Sequence, residues 1–330
     1  MIGDGGTDSG LRAIDAAASR LRGGGLVAFP TETVYGLGAD AVREDAVERV
    51  FALKGRPRGN PLIVHVADAA MARGVVLYWP EEATAIAEAL WPGPVTMVLP
   101  RAGVVPAIVA GGGPTVAVRS PDHPVAMALL EAFGGPIVGP SANRSGMVSP
   151  TLAEHVRGVW AEDEVMVLDG GPCRAGIEST VVLMGDEPRV LRPGVVSAAT
   201  LAGVLGRPVG EGPVDVDSMR AGAVLPSPGL LKRHYAPRTR AVLADDVGGA
   251  VAGVEHAVVL AMGWVGDGGD AELIRMPGSA AEYAARLYAA LHEADEAGAD
   301  LIVVERPAVV GSDATIWHAV LERLGRACGG

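Results

Sequence analysis

Helical segments alternate with short apolar segments along most of this chain, and this alternation constrains its fold more than any other feature. Residues 11–22 carry apolar side chains at helical spacing and end in three glycines, and residues 26–29 then form an apolar strand. The same alternation predicts strands at 62–66, 96–99, 115–119, 136–138, 165–169, 179–183 and 189–191, and helices near 45–53 and 82–90 and from His123. Helices interleaved with buried strands are typical of an α/β fold.

A change of pattern divides the chain. Residues 209–240 are rich in Gly, Pro, Asp and Ser, which predicts a linker that is long for a plain loop and is therefore either flexible or functional. Short apolar runs follow at 241–243, 257–262 and 300–304, with a helical stretch at 280–293, which predicts a smaller parallel α/β unit. We therefore expect a first domain over 1–208, a linker over 209–240 that closes over the active site, and a second domain over 241–330.

The charge balance disfavours several classes of protein. The chain has 27 Lys and Arg against 39 Asp and Glu, a net charge of −12, which argues against a membrane anchor or a DNA-binding coat. Two cysteines are too few for a disulfide framework and fit a reducing compartment, and the first residues lack the pattern of a signal peptide. The seven histidines show no metal-ligand spacing, so no metal ligand is assigned. We expect a cytoplasmic protein.

A basic loop follows the second predicted helix. Residues 54–58 hold three cations, Lys54, Arg56 and Arg58, and Pro57 restricts their backbone. Only two of the 27 basic residues are lysines, and Lys54 is one of them. Lysine supplies a point charge and arginine a two-pronged donor, so the loop is suited to a polyphosphate, although a solvated surface loop is the alternative. Neither lysine lies in the Gly-Lys-Ser/Thr context of a Walker loop.

Polar segments directly follow several predicted strands, where open α/β sheets carry their ligand-binding loops. They are residues 30–38, Arg119 and residues 139–146. Gly36 and Gly38 match a dinucleotide fingerprint only weakly, because the acidic residue expected about 20 positions later is absent. Ser141 lacks the Gly-x-Ser-x-Gly context of a hydrolase nucleophile. Residues 139–146 are expected to hydrogen-bond a ligand. Residues 30–38 could do so too, although a polar turn after a strand is more often structural, and Arg119 could clamp an anion or be a surface charge.

Five motifs occur together in one order: residues 29–38, 54–57 with 60–62, 90–94, 140–146, and 178–182 with 192–194. In this order they resemble the YrdC-like threonylcarbamoyl-AMP synthases, and residues 227–237 resemble the linker of the long, two-domain branch of that family. The resemblance implies a YrdC-like twisted mixed sheet with helices, followed by a smaller Rossmann-like parallel α/β domain.

The resemblance also implies a reaction: L-threonine, bicarbonate or CO2, and ATP with Mg2+ give L-threonylcarbamoyl-AMP and pyrophosphate. The product would be handed to the tRNA threonylcarbamoyl transferase machinery for the t6A37 modification. Lys54 and Arg56 would be the catalytic residues. The implied threonine contacts are Thr33, His65, Arg119, Ser179 and Thr180. The implied ATP contacts are Lys54, Arg56, Asn60, Thr115, Ser141, Asn143, Ser149, Arg192 and Tyr235.

Two other functions remain open at this point. YrdC-like domains have been linked to structured RNA, so an RNA-binding module is one alternative, although the acidic total argues against it. A related domain occurs in hydrogenase-maturation proteins, so a carbamoyl transferase is the other.

Overall fold

Two β-sheets with helices on their faces organise the protein. The computed structural model describes residues 8–212, 234–264, 271–309 and 313–329, and only the backbone of Asp8. Within these ranges no helix is long and apolar enough to cross a membrane. The predicted linker falls largely on residues 213–233, including Lys232, which lie outside the described residues. The predicted boundaries between the first domain, the linker and the second domain therefore stay a prediction.

The first sheet has ten strands of mixed direction. They are β1 (Leu26–Phe29), β2 (Gly36–Asp40), β3 (Ile63–His65), β4 (Val95–Pro100), β5 (Thr115–Arg119), β6 (Ile137–Val138), β7 (Val165–Val167), β8 (Thr180–Leu183), β9 (Arg189–Arg192) and β10 (Gly210–Glu211). Their order is β10-β9-β8-β4-β5-β3-β6-β2-β1-β7. Strands β3 and β5 run parallel, whereas β1 and β2 run antiparallel, so the predicted mixed sheet is confirmed.

Helices cover both faces of this sheet. They are α1 (Asp8–Arg22), α2 (Glu44–Lys54), α3 (Ala69–Arg73), α4 (Glu81–Leu90), α5 (Pro124–Phe133), α6 (Ala153–Arg157) and α7 (Ala198–Leu205). Strand β1 illustrates the layering, because alternate residues of a strand face opposite sides. Its Val27 packs into a cluster with α1 and α5, whereas its neighbour Ala28 packs with α2. A strand that is buried on both faces has a continuous run of apolar residues, and most strands of this sheet could be predicted from such runs.

The second sheet has four strands, all parallel: β11 (Ala241–Ala244), β12 (Ala257–Ala261), β13 (Glu272–Arg275) and β14 (Leu301–Glu305), in the order β11-β14-β12-β13. Its helices are α8 (Val247–Val251), α9 (Ala280–Glu296) and α10 (Ala314–Cys328). The predicted second parallel α/β unit is therefore confirmed. The sequence analysis missed β13, whose residues are half polar, and α10.

Strand β2 corrects the interpretation of residues 36–38. They form a strand antiparallel to β1, with Gly38 opposite Val27. A Cβ atom on Gly38 would lie 2.9 Å from the carbonyl oxygen of Val27. The glycines therefore allow close approach of two strands, and the weak match to a dinucleotide fingerprint has no structural basis.

Candidate active site

A pocket in the first domain collects residues from the ends of several strands and from the loop before β2. Its cavity volume is about 50 Å³, and about 560 Å³ when the open solvent at its mouth is included. The sequence-predicted residues that line it are Thr33, Arg56, His65, Arg119, Ser141, Ser179, Arg192 and Tyr235. The prediction that these residues lie close together in space is therefore confirmed. Their individual roles stay predictions.

Arg119 and His65 end two neighbouring parallel strands, β5 and β3, and are paired in register. The Arg119 guanidinium is buried, with Nη2 2.5 Å from Oε2 of Glu32 and with Nη1 donating to the Thr33 hydroxyl at 2.9 Å. Burial, together with the nearby charge of Arg119, lowers the pKa of His65 to about 3. His65 is therefore neutral at physiological pH, and among the described residues its Nδ1 has no hydrogen-bond partner.

Two further buried arginines face the pocket. Helix α2 ends at Gly55, whose φ of 63° turns the chain sharply and directs Arg56 inward. Arg56 donates to the carbonyl oxygens of Asn60 at 3.0 Å and Pro61 at 2.8 Å. Arg192, at the end of β9, donates to the carbonyl oxygen of Ser179 at 3.0 Å and to its hydroxyl at 3.1 Å. Burial lowers the pKa of both arginines, that of Arg56 to about 10.

Lys54 does not line the pocket, although it lies next to it. Its Nζ donates to the carbonyl oxygen of Ser141 at 2.5 Å and also to that of Asn143. Burial, and then the charge of Arg56, lowers the pKa of Lys54 well below its ordinary value. The side chain thus fixes the loop after β6, and its predicted phosphate contact stays a prediction.

Five other predicted residues are not among those that line the pocket: Asn60, Thr115, Asn143, Ser149 and Thr180. Asn143 Nδ2 donates to two carbonyl oxygens of its own loop at 2.8 Å, and the Thr180 hydroxyl donates to the carbonyl oxygen of Val196 at 2.7 Å. Thr115 lies at the opposite end of β5 from Arg119. The side chains of Asn143 and Thr180 thus hold the backbone of neighbouring loops.

The described end of the predicted linker lies against the pocket. His234 and Tyr235 both line it, and Tyr235 is buried with a φ of 62°. The next residue, Ala236, donates its N–H to the carbonyl oxygen of Gly146 at 3.0 Å. Burial and the charge of Glu178 raise the pKa of Tyr235 to about 12, so its hydroxyl stays protonated and can donate to a ligand.

The sequence analysis missed the buried carboxylates and their distant partners. Glu178 lines the pocket and is ion-paired with Arg323, which lies 145 positions away in α10. A signal for Arg323 does exist in the sequence, because it lies three or four positions from Ala319, Val320 and Ala327, all buried on the same face of α10. A charge among such apolar positions indicates a buried ion pair.

A protein-held metal ion does not fit the residues present. In the described ranges no group of three or more His, Cys, Asp and Glu side chains is placed to hold one. Glu178, which lines the pocket, already accepts hydrogen bonds from Ser149 and Tyr288 and is ion-paired with Arg323.

These features define a two-domain α/β protein whose first domain carries a buried, arginine-lined pocket suited to an anionic small molecule. A family profile described as "Telomere recombination" matches residues 19–194, and one described as "Threonylcarbamoyl-AMP synthase, C-terminal domain" matches residues 196–329. The chain belongs to the Sua5/YciO/YrdC family, in its two-domain form.

Relatives of nearly the same length support this assignment. The chain is 40% identical to a threonylcarbamoyl-AMP synthase of Pyrococcus abyssi, over 96% of this chain and 94% of that one. It is 37% identical to a Bacillus subtilis protein of the same name, over 96% and 93%. The crystal structure of P. abyssi Sua5 complexed with L-threonine has a TM-score of 0.84 at 38% identity, covering 96% of this chain and 94% of that one.

Proposed function

We propose that this protein is an L-threonylcarbamoyl-AMP synthase that forms threonylcarbamoyl-AMP and pyrophosphate from L-threonine, bicarbonate or CO2, and ATP. The observation that carries the proposal is the convergence of three buried arginines, Arg56, Arg119 and Arg192, on one pocket. Arg56 and Lys54 have carbonyl oxygens as their described partners, which satisfy their N–H groups without neutralising their charge. The excess positive charge would be compensated by an anionic ligand.

The reaction needs no nucleophile from the protein. The amine of threonine adds to CO2 and loses a proton, which gives a carbamate. A carbamate oxygen then attacks the α-phosphorus of ATP, and the bond from that phosphorus to the bridging oxygen breaks as pyrophosphate leaves. The protein must hold two anions together and compensate the charge of the leaving group, which buried arginines are suited to do.

The threonine would lie at the end of the pocket formed by β3 and β5. Arg119 is held by Glu32 and Thr33 in a fixed orientation, and a fixed guanidinium is well suited to bind a carboxylate. Because His65 is neutral, its free nitrogen can accept a hydrogen bond from the amino acid. Ser179 and Thr180 complete this proposed subsite.

The nucleotide would extend toward Arg56 and Arg192. These side chains, with Ser141 and Tyr235, supply cations and hydroxyls at one side of the pocket. Lys54 would act with them by fixing the loop that carries Ser141 and Asn143. Asn60, Thr115 and Ser149 complete the proposed set.

Mg2+ enters this proposal only as part of the Mg·ATP substrate. Among the residues that the structure describes, no group of three or more metal-ligating side chains is placed to hold an ion, and a magnesium ion on a triphosphate keeps most of its ligands from phosphate and water. The product is a reactive mixed anhydride, so we propose that a transferase acting on tRNA consumes it soon after release. Because that transferase and its tRNA would have to be close by, we also assign the protein to the cytoplasm.

The test is pyrophosphate release by the purified full chain. We expect release when ATP with Mg2+, L-threonine and bicarbonate are all present, and only background release when any one is omitted. Arg56→Met should lose about 2 kcal/mol or more of transition-state stabilisation, or at least roughly 30-fold in kcat/KM, because a charge-assisted contact is removed. Release that does not require threonine would contradict the proposal. Consumption of carbamoyl phosphate, or RNA binding without ATP, would favour the two alternative functions.

A further inference from the structure

A buried ion pair joins the second domain to the pocket of the first. Arg323 of α10 has a fully buried side chain, and its Nε lies 3.2 Å from Oε2 of Glu178. Its Nη1 donates to the carbonyl oxygen of Pro193 at 2.6 Å. The two domains are in close contact near this point, because a Cβ atom on Gly176 would lie 2.3 Å from the carbonyl oxygen of Ala284 in α9. A cation from the second domain thus contacts Glu178, which lines the pocket, and Pro193, which follows the pocket residue Arg192.

Glu178 is held from both domains. Ser149 of the first domain donates its hydroxyl to Oε1 at 2.8 Å, and Tyr288 of α9 donates its hydroxyl to Oε2 at 3.0 Å. Burial would raise the pKa of Glu178, but Arg323 and Arg192 outweigh burial and lower it. The carboxylate is therefore ionised, and its charge is shared between one arginine of each domain.

This shared charge affects the pocket directly. Arg192 is hydrogen-bonded to Ser179, the residue that follows Glu178. It donates to the carbonyl oxygen and to the hydroxyl of Ser179. The Ser179 hydroxyl is also held by Thr96 Oγ1 at 2.8 Å, so Ser179 is fixed independently of Arg192. If Arg323 were absent, Glu178 would keep a buried, poorly compensated charge. Arg192 is the other arginine whose charge acts on Glu178, and it would be drawn toward the carboxylate and away from its hydrogen bonds to Ser179.

We propose that Arg323 and Tyr288 of the second domain are positioning residues of the active site. They hold the carboxylate of Glu178, so that Arg192 keeps its hydrogen bonds to Ser179 and remains directed at the nucleotide. This role rests on the proposed function. It makes the second domain part of the ATP subsite. In the threonine subsite, Arg119 is held by Glu32 and Thr33, and Ser179, which Arg192 contacts, is also held by Thr96, so threonine binding should change little.

The experiment compares Arg323→Met with wild type and with Arg306→Met, a control in the same domain whose ion pair with Asp245 is exposed. Affinities for ATP and for threonine are measured separately by calorimetry, and KM and kcat by pyrophosphate release. We expect Arg323→Met to weaken ATP affinity at least tenfold and threonine affinity less than threefold, with Arg306→Met unchanged. Adding Glu178→Gln to Arg323→Met should restore part of the ATP affinity, since it removes the uncompensated charge.

Two results would overturn the positioning role: an ATP affinity within twofold of wild type in Arg323→Met, or an equal loss of ATP and threonine affinity, which a general structural defect would give. If Arg323→Met does not fold, Tyr288→Phe provides the same test, with a threefold or greater loss of ATP affinity expected and no loss contradicting the role. A wild-type protein that binds neither ligand would instead contradict the proposed function.

Discussion

Buried charge without a matching countercharge is the feature that makes this pocket a site for anions. The charge of Arg119 is neutralised by the neighbouring carboxylate of Glu32. Lys54 and Arg56 instead donate hydrogen bonds to carbonyl oxygens, which do not neutralise their charge. Burial of such cations is costly, as the lowered pKa values of Lys54 and Arg56 reflect. An anionic ligand would recover part of this cost, so the residues that destabilise the empty pocket favour the bound one.

His65 predicts a specific dependence of stability on pH. Its pKa falls from an ordinary 6.5 to about 3 in the folded protein. Between these values the unfolded chain binds more protons than the folded chain, so the free energy of unfolding decreases as the pH falls below 6.5. Between pH 7 and pH 5, His65 alone should lower the free energy of unfolding by about 2 kcal/mol.

The measurement is urea unfolding of wild type and His65→Gln at pH 7 and pH 5. Glutamine does not titrate, so the variant should lose about 2 kcal/mol less between the two pH values. His155 and His234, whose pKa values are also lowered by burial, account for loss that remains in the variant. An identical loss in both proteins would show that His65 is not buried in its neutral form.

At the scale of elements, a glycine fixes the junction that carries Arg192. A Cβ atom on Gly194 would lie 2.4 Å from the backbone nitrogen of Thr180 and 2.8 Å from the carbonyl carbon of Ser179. Gly194→Ala should therefore separate the end of β9 from the start of β8 and destabilise the protein by about 1–3 kcal/mol. ATP affinity should fall with it, because Arg192 and Ser179 are the residues displaced.

Gly203 is a matched control for that substitution. It lies inside α7, and a Cβ atom there would meet no atom within 4 Å. Gly203→Ala should stabilise the protein by about 0.5–1 kcal/mol, because alanine is favoured over glycine in a helix interior. Thermal unfolding of the two variants measures the contrast. Equal effects at the two positions would contradict the close packing at Gly194.

Elements with strong apolar periodicity could be predicted from the sequence, and those without it could not. The predictions for α1, β3 and β5 were confirmed to within a few residues, because each buries a face whose period is visible in the sequence. Strand β2 was missed because its glycines suggest a loop, although they serve close strand contact. The convergence of Arg56, Arg119 and Arg192 was predicted, since each lies just past a helix or at a strand end.

At the scale of the whole molecule, two residues of the second domain contact Glu178 of the pocket wall, and this could not be predicted from the sequence. Contacts between Glu178 and its partners Tyr288 and Arg323 span 110 and 145 positions, and no local pattern relates residues so far apart. The ordering of Arg192 through Glu178 is likewise a property of the docked domains.

The central claim is that one pocket holds ATP and threonine side by side. The most direct measurement is a crystal structure of the full chain with L-threonine and an ATP analogue that cannot be cleaved at the α-phosphorus. The account predicts phosphate oxygens at Arg56 and Arg192 and the threonine carboxylate at Arg119, with the amine directed at the α-phosphate. Either ligand bound outside this pocket, or the two in exchanged positions, would contradict it.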